Sequence, residues 1–66
     1  MTETEIKRYV VLKAAVNKPK CYNGDWNVML TLGSDINEHA PTIEKAYQQM
    51  TDTIFKSKHL QKYIIP

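Results

Sequence analysis

The first half of the chain alternates between apolar and mixed positions in the way that a half-buried β-strand does. Between residues 6 and 16, every second position is mainly aliphatic, and the positions between them are mixed. Successive side chains of a strand point to opposite faces of its sheet, so this period predicts one buried face. The β-branched and aromatic residues Tyr9, Val10 and Val11 favour the same conformation. We therefore predict a first strand over residues 6–16.

A turn follows this first strand. Pro19 removes a backbone donor and fixes φ, which ends a strand. The pair Asn23-Gly24 favours the positive φ angles of a tight hairpin turn, across which Cys21 and Tyr22 could pair with residues 25–26. One longer loop over residues 17–25 is the simpler alternative. The expected number of strands is therefore two or three.

A second strand is predicted over residues 26–32, where the alternation is more regular. Its mixed side carries Asn27, Met29 and Thr31. Its apolar side carries Trp26, Val28, Leu30 and Leu32. We expect Gly33 and Ser34 to end this strand.

The second half of the chain predicts a helix over about residues 41–57. Asp35 and Glu38 have the three-residue separation of a capping box ahead of the helix. Pro41 suits the first turn, because its missing N–H costs little there. Apolar residues then recur with the spacing of one helical face at Ile43, Ala46, Tyr47, Met50 and Ile54.

The helical pattern breaks after Ile54, and a separate apolar face follows. Leu60, Tyr63 and Ile64 share that face, which indicates a short C-terminal helical tail. The whole chain is thus predicted to adopt an α+β fold, with an antiparallel β-hairpin of two or three strands followed by an amphipathic helix and this tail. We expect a single domain over residues 1–66, in which the polar residues 1–5 are frayed.

The predicted unit is too thin to bury all of its apolar side chains. A strand pair covered by one helix leaves its second face open, and a chain of 66 residues buries a small fraction of its surface. Apolar groups gain about 25 cal/mol per Å² on burial, so a two-fold homodimer is the economical completion of the fold. The residues expected at an interface, with a second copy or with an unidentified protein partner, are Tyr9, Val11, Met29, Phe55, Leu60, Tyr63 and Ile64.

Composition indicates the class of protein and the cellular compartment to expect. Apolar residues make up 42% of the chain and charged residues 24%, which is typical of globular proteins. The lone cysteine, Cys21, cannot form an internal disulfide, and this fits a reducing cytoplasm. No apolar run is long enough to span a membrane, and the N-terminus lacks the pattern of a signal peptide. We therefore expect a cytoplasmic protein with no membrane partner.

No constellation of catalytic or ligating residues stands out in the sequence. His39 and His59 are the only histidines, and together with Cys21 they show no zinc-site spacing. A cysteine–histidine nucleophile pair would lack any supporting motif. The two glycines stand apart, so no phosphate-binding loop is formed. We expect no enzymatic activity, no metal site and no cofactor.

Basic and aromatic residues near the predicted hairpin form a candidate nucleic-acid patch. Lysine and arginine neutralise phosphates, and aromatic rings stack on bases. The candidate residues are Lys7, Arg8, Lys18, Lys20 and Tyr22. The net charge of +2 is small for such a function, because dedicated nucleic-acid binders usually carry a strong basic stripe.

Two short segments resemble HicB-type antitoxin domains. Residues 24–28 (Gly-Asp-Trp-Asn-Val) and 42–46 (Thr-Ile-Glu-Lys-Ala) are similar to a G-x-W/Y-x-V strand that precedes a helix opening T-x-E-E-A in that family. The resemblance implies a strand-strand-helix core, oligomerisation and a role in masking a toxin. The proline- and glycine-cysteine-containing loop typical of the family has no counterpart between Leu32 and Thr42, so we do not assign the chain to it.

Three functional hypotheses follow from these patterns. The leading hypothesis is a small non-enzymatic protein-interaction module, acting as a homodimer in an accessory or inhibitor role of the phage or mobile-element type. The alternative is a small nucleic-acid-binding module that uses Lys18, Lys20 and Tyr22. The third is a HicB-like antitoxin domain.

Overall fold

A computed structural model describes residues 1–18 and 24–64 of the chain. The elements in chain order are α1 (Glu3–Lys13), β1 (Ala15–Asn17), β2 (Trp26–Leu32), β3 (Ser34–Ala40), α2 (Ile43–Phe55) and α3 (Lys58–Gln61). The strands form a three-stranded antiparallel sheet in the order β1-β2-β3. The predicted α+β class is therefore confirmed.

The predicted first strand is wrong over most of its length, because residues 6–13 belong to helix α1. Ile6 and Val10 stand four residues apart and are both fully buried, which is the spacing of one helical face. Arg8, which the strand period placed on the same side, is exposed. Only Ala15–Asn17 is a strand, and it pairs with β2.

A capping box begins α1 within the residues that were expected to be frayed. The backbone N–H of Glu5 donates to Thr2 Oγ1 at 3.2 Å, and the backbone N–H of Thr2 donates to Glu5 Oε1 at 2.9 Å. Two N-terminal N–H groups that no helical carbonyl can reach are thereby satisfied. Glu3 and Glu5 also place negative charge at the positive end of the helix dipole.

Strand β2 confirms the prediction for residues 26–32, and a third strand follows it directly. Gly33 adopts a positive φ of 80° between β2 and β3, a conformation that glycine reaches without steric cost. Ser34 was expected to follow the end of a strand, but it begins β3.

The predicted capping box at Asp35 and Glu38 is wrong, because both residues lie in β3. Asp35 accepts a hydrogen bond from Thr31 Oγ1 at 2.9 Å across the β2–β3 pair. Glu38 accepts one from Thr53 Oγ1 of α2 at 3.4 Å. The N-cap of α2 is Thr42, whose hydroxyl accepts from the backbone N–H of Lys45.

Helix α2 confirms the predicted amphipathic helix, and its buried face includes Ala46, Met50 and Ile54. Thr51 is also fully buried, and its hydroxyl donates to the carbonyl of Tyr47 at 2.8 Å, so the polar atom is satisfied. The short helix α3 confirms the C-terminal helical tail.

The helices cover one face of the sheet and leave the other open. α2 packs on β2 and β3, and α1 and α3 pack against α2. The covered face contributes Val28, Leu30 and Leu32 to the core. The open face consists of Ala15, Asn17, Asn27, Met29, Thr31, Asp35, Asn37 and His39.

The open sheet face is mainly polar, so it does not supply the exposed apolar surface from which a partner was predicted. Tyr9 and Val11, which the predicted first strand would place among its mixed positions on the second face of the sheet, lie on α1 instead. Asn27 Nδ2 lies 3.1 Å from His39 Nε2 and 3.4 Å from Asn37 Oδ1, so the polar groups of the face bond to one another. Of the described residues on this face, Met29 alone has a large apolar side chain, and that side chain is half-buried. The exposed large apolar side chains among the described residues lie outside the sheet, at Met1, Val11, Leu12, Phe55 and Tyr63.

Candidate interaction surface

The outer face of α1 carries the most exposed large apolar side chain among the described residues. Leu12 is 75% exposed, and its neighbour Val11 is 49% exposed. A helix advances about 100° per residue, so positions opposite the buried pair Ile6 and Val10 face solvent. Arg8, midway between that pair in sequence, points directly away from the core. We define the outer face of α1 as Thr4, Glu5, Arg8, Val11 and Leu12.

Two open grooves flank this outer face, and both are lined in part by Arg8 and Leu12. The first groove lies on the side of α1 that faces α2 and is completed by Glu3, Thr4, Lys7, Val11 and Gln48. The second lies towards the C-terminal tail and is completed by Met1, Glu5, Tyr9, Lys13 and Ile64. Arg8 and Leu12 thus form a ridge between two depressions, which is the shape that helix packing uses.

Charge on α1 changes sign along the helix. Glu3 and Glu5 occupy the first turn, and Lys13 occupies the last. Hydrogen bonds from the backbone and the side chain of Thr2 hold the pKa of the Glu5 carboxyl below its usual value, so this group is charged at neutral pH. Lys7 Nζ donates to Gln48 Oε1 at 3.3 Å and links α1 to α2. Helix α1 as a whole is therefore acidic in its first turn and basic in its last.

The residues expected at an interface do not lie together. Val11 lies on the outer face of α1, and Tyr9 and Ile64 line the second groove. Ile64 is only 7% exposed and belongs to the core, so its side chain is not available to a partner. The other four lie on the open sheet face, on α2 and in the C-terminal tail: Met29, Phe55, Leu60 and Tyr63.

Sequence reasoning missed Leu12, the most exposed large apolar side chain among the described residues. The strand period placed Leu12 on the buried side with Ile6 and Val10. Two signals in the sequence point to a helix instead. One is the Thr2-x-x-Glu5 capping box, and the other is the four-residue spacing of the aliphatic pair.

The candidate nucleic-acid residues lie on separate elements. Lys7 and Arg8 are on α1, and Lys18 follows β1. Lys18 Nζ lies 5.4 Å from the centroid of the Trp26 ring, a cation–π distance. Lys20 and Tyr22 lie outside the described residues, as does the proposed turn residue Asn23.

The two histidines occupy different surfaces. His39 lies on β3 beside Asn27, and the His59 ring meets Tyr63 edge-on with centroids 6.1 Å apart. Within residues 1–18 and 24–64, no group of three or more His, Cys, Asp or Glu side chains is placed to hold a metal ion. Cys21 lies outside that part of the chain.

None of the helices in the described part of the chain combines the length and the apolar character needed to cross a bilayer.

Comparison of the chain with protein-family models, with curated proteins and with solved structures finds no match. The resemblance to HicB-type domains therefore rests on residues 24–28 and 42–46 alone.

Proposed function

We propose that this chain is a small non-enzymatic protein-interaction module that binds its partner through the outer face of α1. The observation that carries the proposal is the exposure of Leu12 on a ridge between two grooves. A lone exposed leucine is ordinary on a protein surface. Leu12 differs because Val11 beside it is also exposed and because a groove lies on each side of it. The side chains of a partner could pack into these grooves.

Burial of Leu12 against a partner would contribute binding free energy at the centre of the interface. Full burial of a leucine side chain is worth about 1.5–3 kcal/mol. Charged groups surround Leu12, and a rim of charges around an apolar centre is the usual anatomy of a protein interface. An accessory or inhibitor role suits such a module, in a reducing compartment such as the cytoplasm, given the lone cysteine.

A nucleic-acid partner is the second candidate, and it is favoured by the exposed cations of α1. Lys7, Arg8 and Lys13 are all exposed on that helix, and such groups neutralise phosphates. Glu3 and Glu5 lie on the same helix and would repel a polyanion. The protein partner is therefore the better supported of the two.

Site-specific photo-cross-linking in native lysate tests the proposal. A photoreactive phenylalanine analogue replaces Leu12 in one variant and Lys56, an exposed residue just after α2, in the control. We expect a discrete protein adduct from position 12 that is absent from position 56. Adducts of equal yield at both positions, or no adduct at position 12, would contradict the proposal. A nuclease-sensitive adduct at position 12 would replace it with the nucleic-acid candidate.

A further inference from the structure

The outer edge of β3 is a place where another strand can be added. Among the described residues β3 is hydrogen-bonded to β2 on one side, and no strand lies on its other side. We infer that a second copy of the chain adds to this edge, with the two β3 strands antiparallel about a two-fold axis at Asn37. The two sheets then form one continuous sheet of six strands. This inference goes beyond the proposed function, because it concerns a surface other than the outer face of α1.

Strand β3 lacks two of the features by which proteins usually protect an exposed edge. Such strands are commonly interrupted by a proline or bent away by a bulge. Residues 34–40 contain no proline, and each of the seven pairs with one residue of β2 without a bulge. A third protective feature, charge, is present at Asp35 and Glu38. The effect of these charges depends on which residues lie opposite them.

One register pairs all seven residues of the two strands. A two-fold axis at the middle residue, Asn37, places Asp35 of each copy opposite His39 of the other. Ile36 then lies opposite Glu38. Any other register pairs fewer residues, and an axis at Asp35 or at Glu38 would set two identical carboxylates against each other. The strand is thus self-complementary in its longest register, which is what a two-fold interface requires.

Asp35 and His39 complement each other in this register. Both are exposed on the open face of the sheet, and directly opposed residues of an antiparallel pair have Cβ atoms about 4.5–5.5 Å apart. Asn27 Nδ2 lies 3.1 Å from His39 Nε2, and an amide N–H that bonds to this nitrogen leaves the ring proton on Nδ1. Asp35 accepts from Thr31 through Oδ1, and its carboxylate has room for the imidazole N–H as a further donor. The contact is made twice, once on each side of the axis.

Glu38 is the one charge on β3 that the pairing does not match. It lies opposite Ile36, and the Glu38 residues of the two copies lie diagonally across the axis, where Cβ atoms are about 7–8 Å apart. Glu38 Oε2 accepts from Thr53 Oγ1 at 3.4 Å, which directs the carboxylate towards α2 of its own subunit. The pairing therefore sets two complementary contacts against one repulsive contact at longer range.

The small size of the contact sets the strength of the association. Main-chain hydrogen bonds supply the affinity when a strand adds to a sheet edge, and the side chains fix the register. A contact along one strand edge buries less than the roughly 1,200 Å² typical of stable complexes, so the dimer should be weak and reversible. We expect a dissociation constant in the range of about 10 µM to 1 mM.

Cysteine cross-linking tests the register on the full chain. Cys21→Ser removes the native thiol, and Asn37→Cys, Asp35→Cys or His39→Cys then supplies one new thiol per chain. Opposed residues lie within disulfide distance, whereas the two copies of position 35, or of position 39, are about 14 Å apart in this register. In a glutathione redox buffer we expect a covalent dimer from Asn37→Cys. We also expect one from a mixture of Asp35→Cys with His39→Cys, and none from either of these alone.

Sedimentation equilibrium measures the same contact without a thiol, after circular dichroism has verified that each variant is folded. Asp35→Lys and His39→Glu should each weaken the dimer about tenfold, because each change removes both contacts. The double variant should recover most of the loss, since a lysine then faces a glutamate. Glu38→Gln should strengthen the dimer about twofold or more. Leu12→Gln, on the outer face of α1, should leave it within about twofold.

Five results would overturn the inference. These are a monomer at all concentrations up to about 1 mM, no covalent dimer from Asn37→Cys, equal cross-linking from Asp35→Cys alone, a double charge variant no better than the singles, or a dimer broken by Leu12→Gln. The proposed function is tested separately by photo-cross-linking from position 12, so failure of either one is distinguishable from failure of the other.

Discussion

The ring of Tyr63 lies on Gly33, so that the C-terminal tail covers the connection between β2 and β3. A Cβ built on Gly33 would stand 2.7 Å from Tyr63 Cζ, closer than real Cβ contacts come. Tyr63 is nonetheless 46% exposed, because only one side of its ring meets the turn. The contact joins residues thirty positions apart in sequence and holds the tail against the sheet.

Replacement of Gly33 by alanine should therefore destabilise the fold in two ways. The positive φ of 80° costs an alanine about 1–2 kcal/mol, and the added Cβ must displace the Tyr63 ring. Gly24→Ala is the matched control, because Gly24 has a φ of 72° and nothing within 4 Å of the added Cβ. Urea unfolding should show a larger loss for Gly33→Ala than for Gly24→Ala, with an excess of up to about 1 kcal/mol because the half-exposed Tyr63 ring can shift.

The double variant Gly33→Ala/Tyr63→Ala separates the cost of the positive φ angle from the cost of the clash with the Tyr63 ring. Removal of the ring should relieve the clash, so the combined loss should be smaller than the sum of the two single losses. Equal losses for Gly33→Ala and Gly24→Ala, with additive double effects, would show that Tyr63 does not rest on Gly33 in solution.

Ile6 and Arg8 distinguish the helix from the strand predicted for the same residues. Ile6 is fully buried, so Ile6→Ala should lower the free energy of unfolding by about 2–5 kcal/mol. Arg8 is exposed on the far side of the helix, and Arg8→Ala should change the free energy of unfolding by no more than about 0.5 kcal/mol. Similar losses for both substitutions would indicate that the two side chains share a buried face, as a strand requires.

Thr42 should begin α2 through its hydroxyl. Thr42→Ala removes the acceptor for the Lys45 backbone N–H and should cost about 1 kcal/mol in thermal or urea unfolding. Thr42→Ser retains the oxygen and should recover most of that stability. A cost as large for serine as for alanine would mean that the hydroxyl does not cap the helix.

Glu5 should make α1 sensitive to acid. Its pKa in the folded chain lies below the ordinary value of 4.5, chiefly because the Thr2 backbone N–H and hydroxyl donate to its carboxylate. The capping contribution is therefore fully present above pH 4.5 and is lost as the pH falls through the lower folded-state pKa. An NMR titration should place the Glu5 midpoint below 4.5 and move it partly upwards in Thr2→Ala, which keeps the backbone donor and removes the hydroxyl. A midpoint unchanged by that substitution would show that the Thr2 hydroxyl does not bond to Glu5.

The sequence identified the elements that are determined by their own pattern. β2 has strict alternation with three fully apolar core positions, and α2 has five apolar residues on one helical face. Each pattern fits one secondary structure and conflicts with the other. The class of the fold and the position of its central strand and main helix followed from these two segments.

α1 was misread because its apolar positions fit two periods at once. Ile6, Val10 and Leu12 satisfy a strand period, while Ile6 and Val10 alone satisfy a helical one. β-branched residues at positions 10 and 11 favoured the strand, and only the capping box and tertiary packing decide for the helix. The predicted strand placed Leu12 on a buried face, so the exposed surface on which the proposed function rests was not predicted.

β3 was missed because pairing with β2, and not its own composition, makes it a strand. Among its seven residues only Ile36 and Ala40 are apolar, as expected for an edge strand with one solvated face. Asp35 and Glu38 of this strand have the spacing of a capping box, so they were predicted to precede a helix. Register with β2 places Ile36 opposite Leu30, and this contact is not visible in the local sequence.

The central claim is that the outer face of α1 binds a protein partner, and photo-cross-linking from that face in native lysate tests it most directly. We predict a discrete protein adduct from position 12 and none from the control position 56. Adducts of equal yield at both positions, or no adduct at position 12, would contradict the claim.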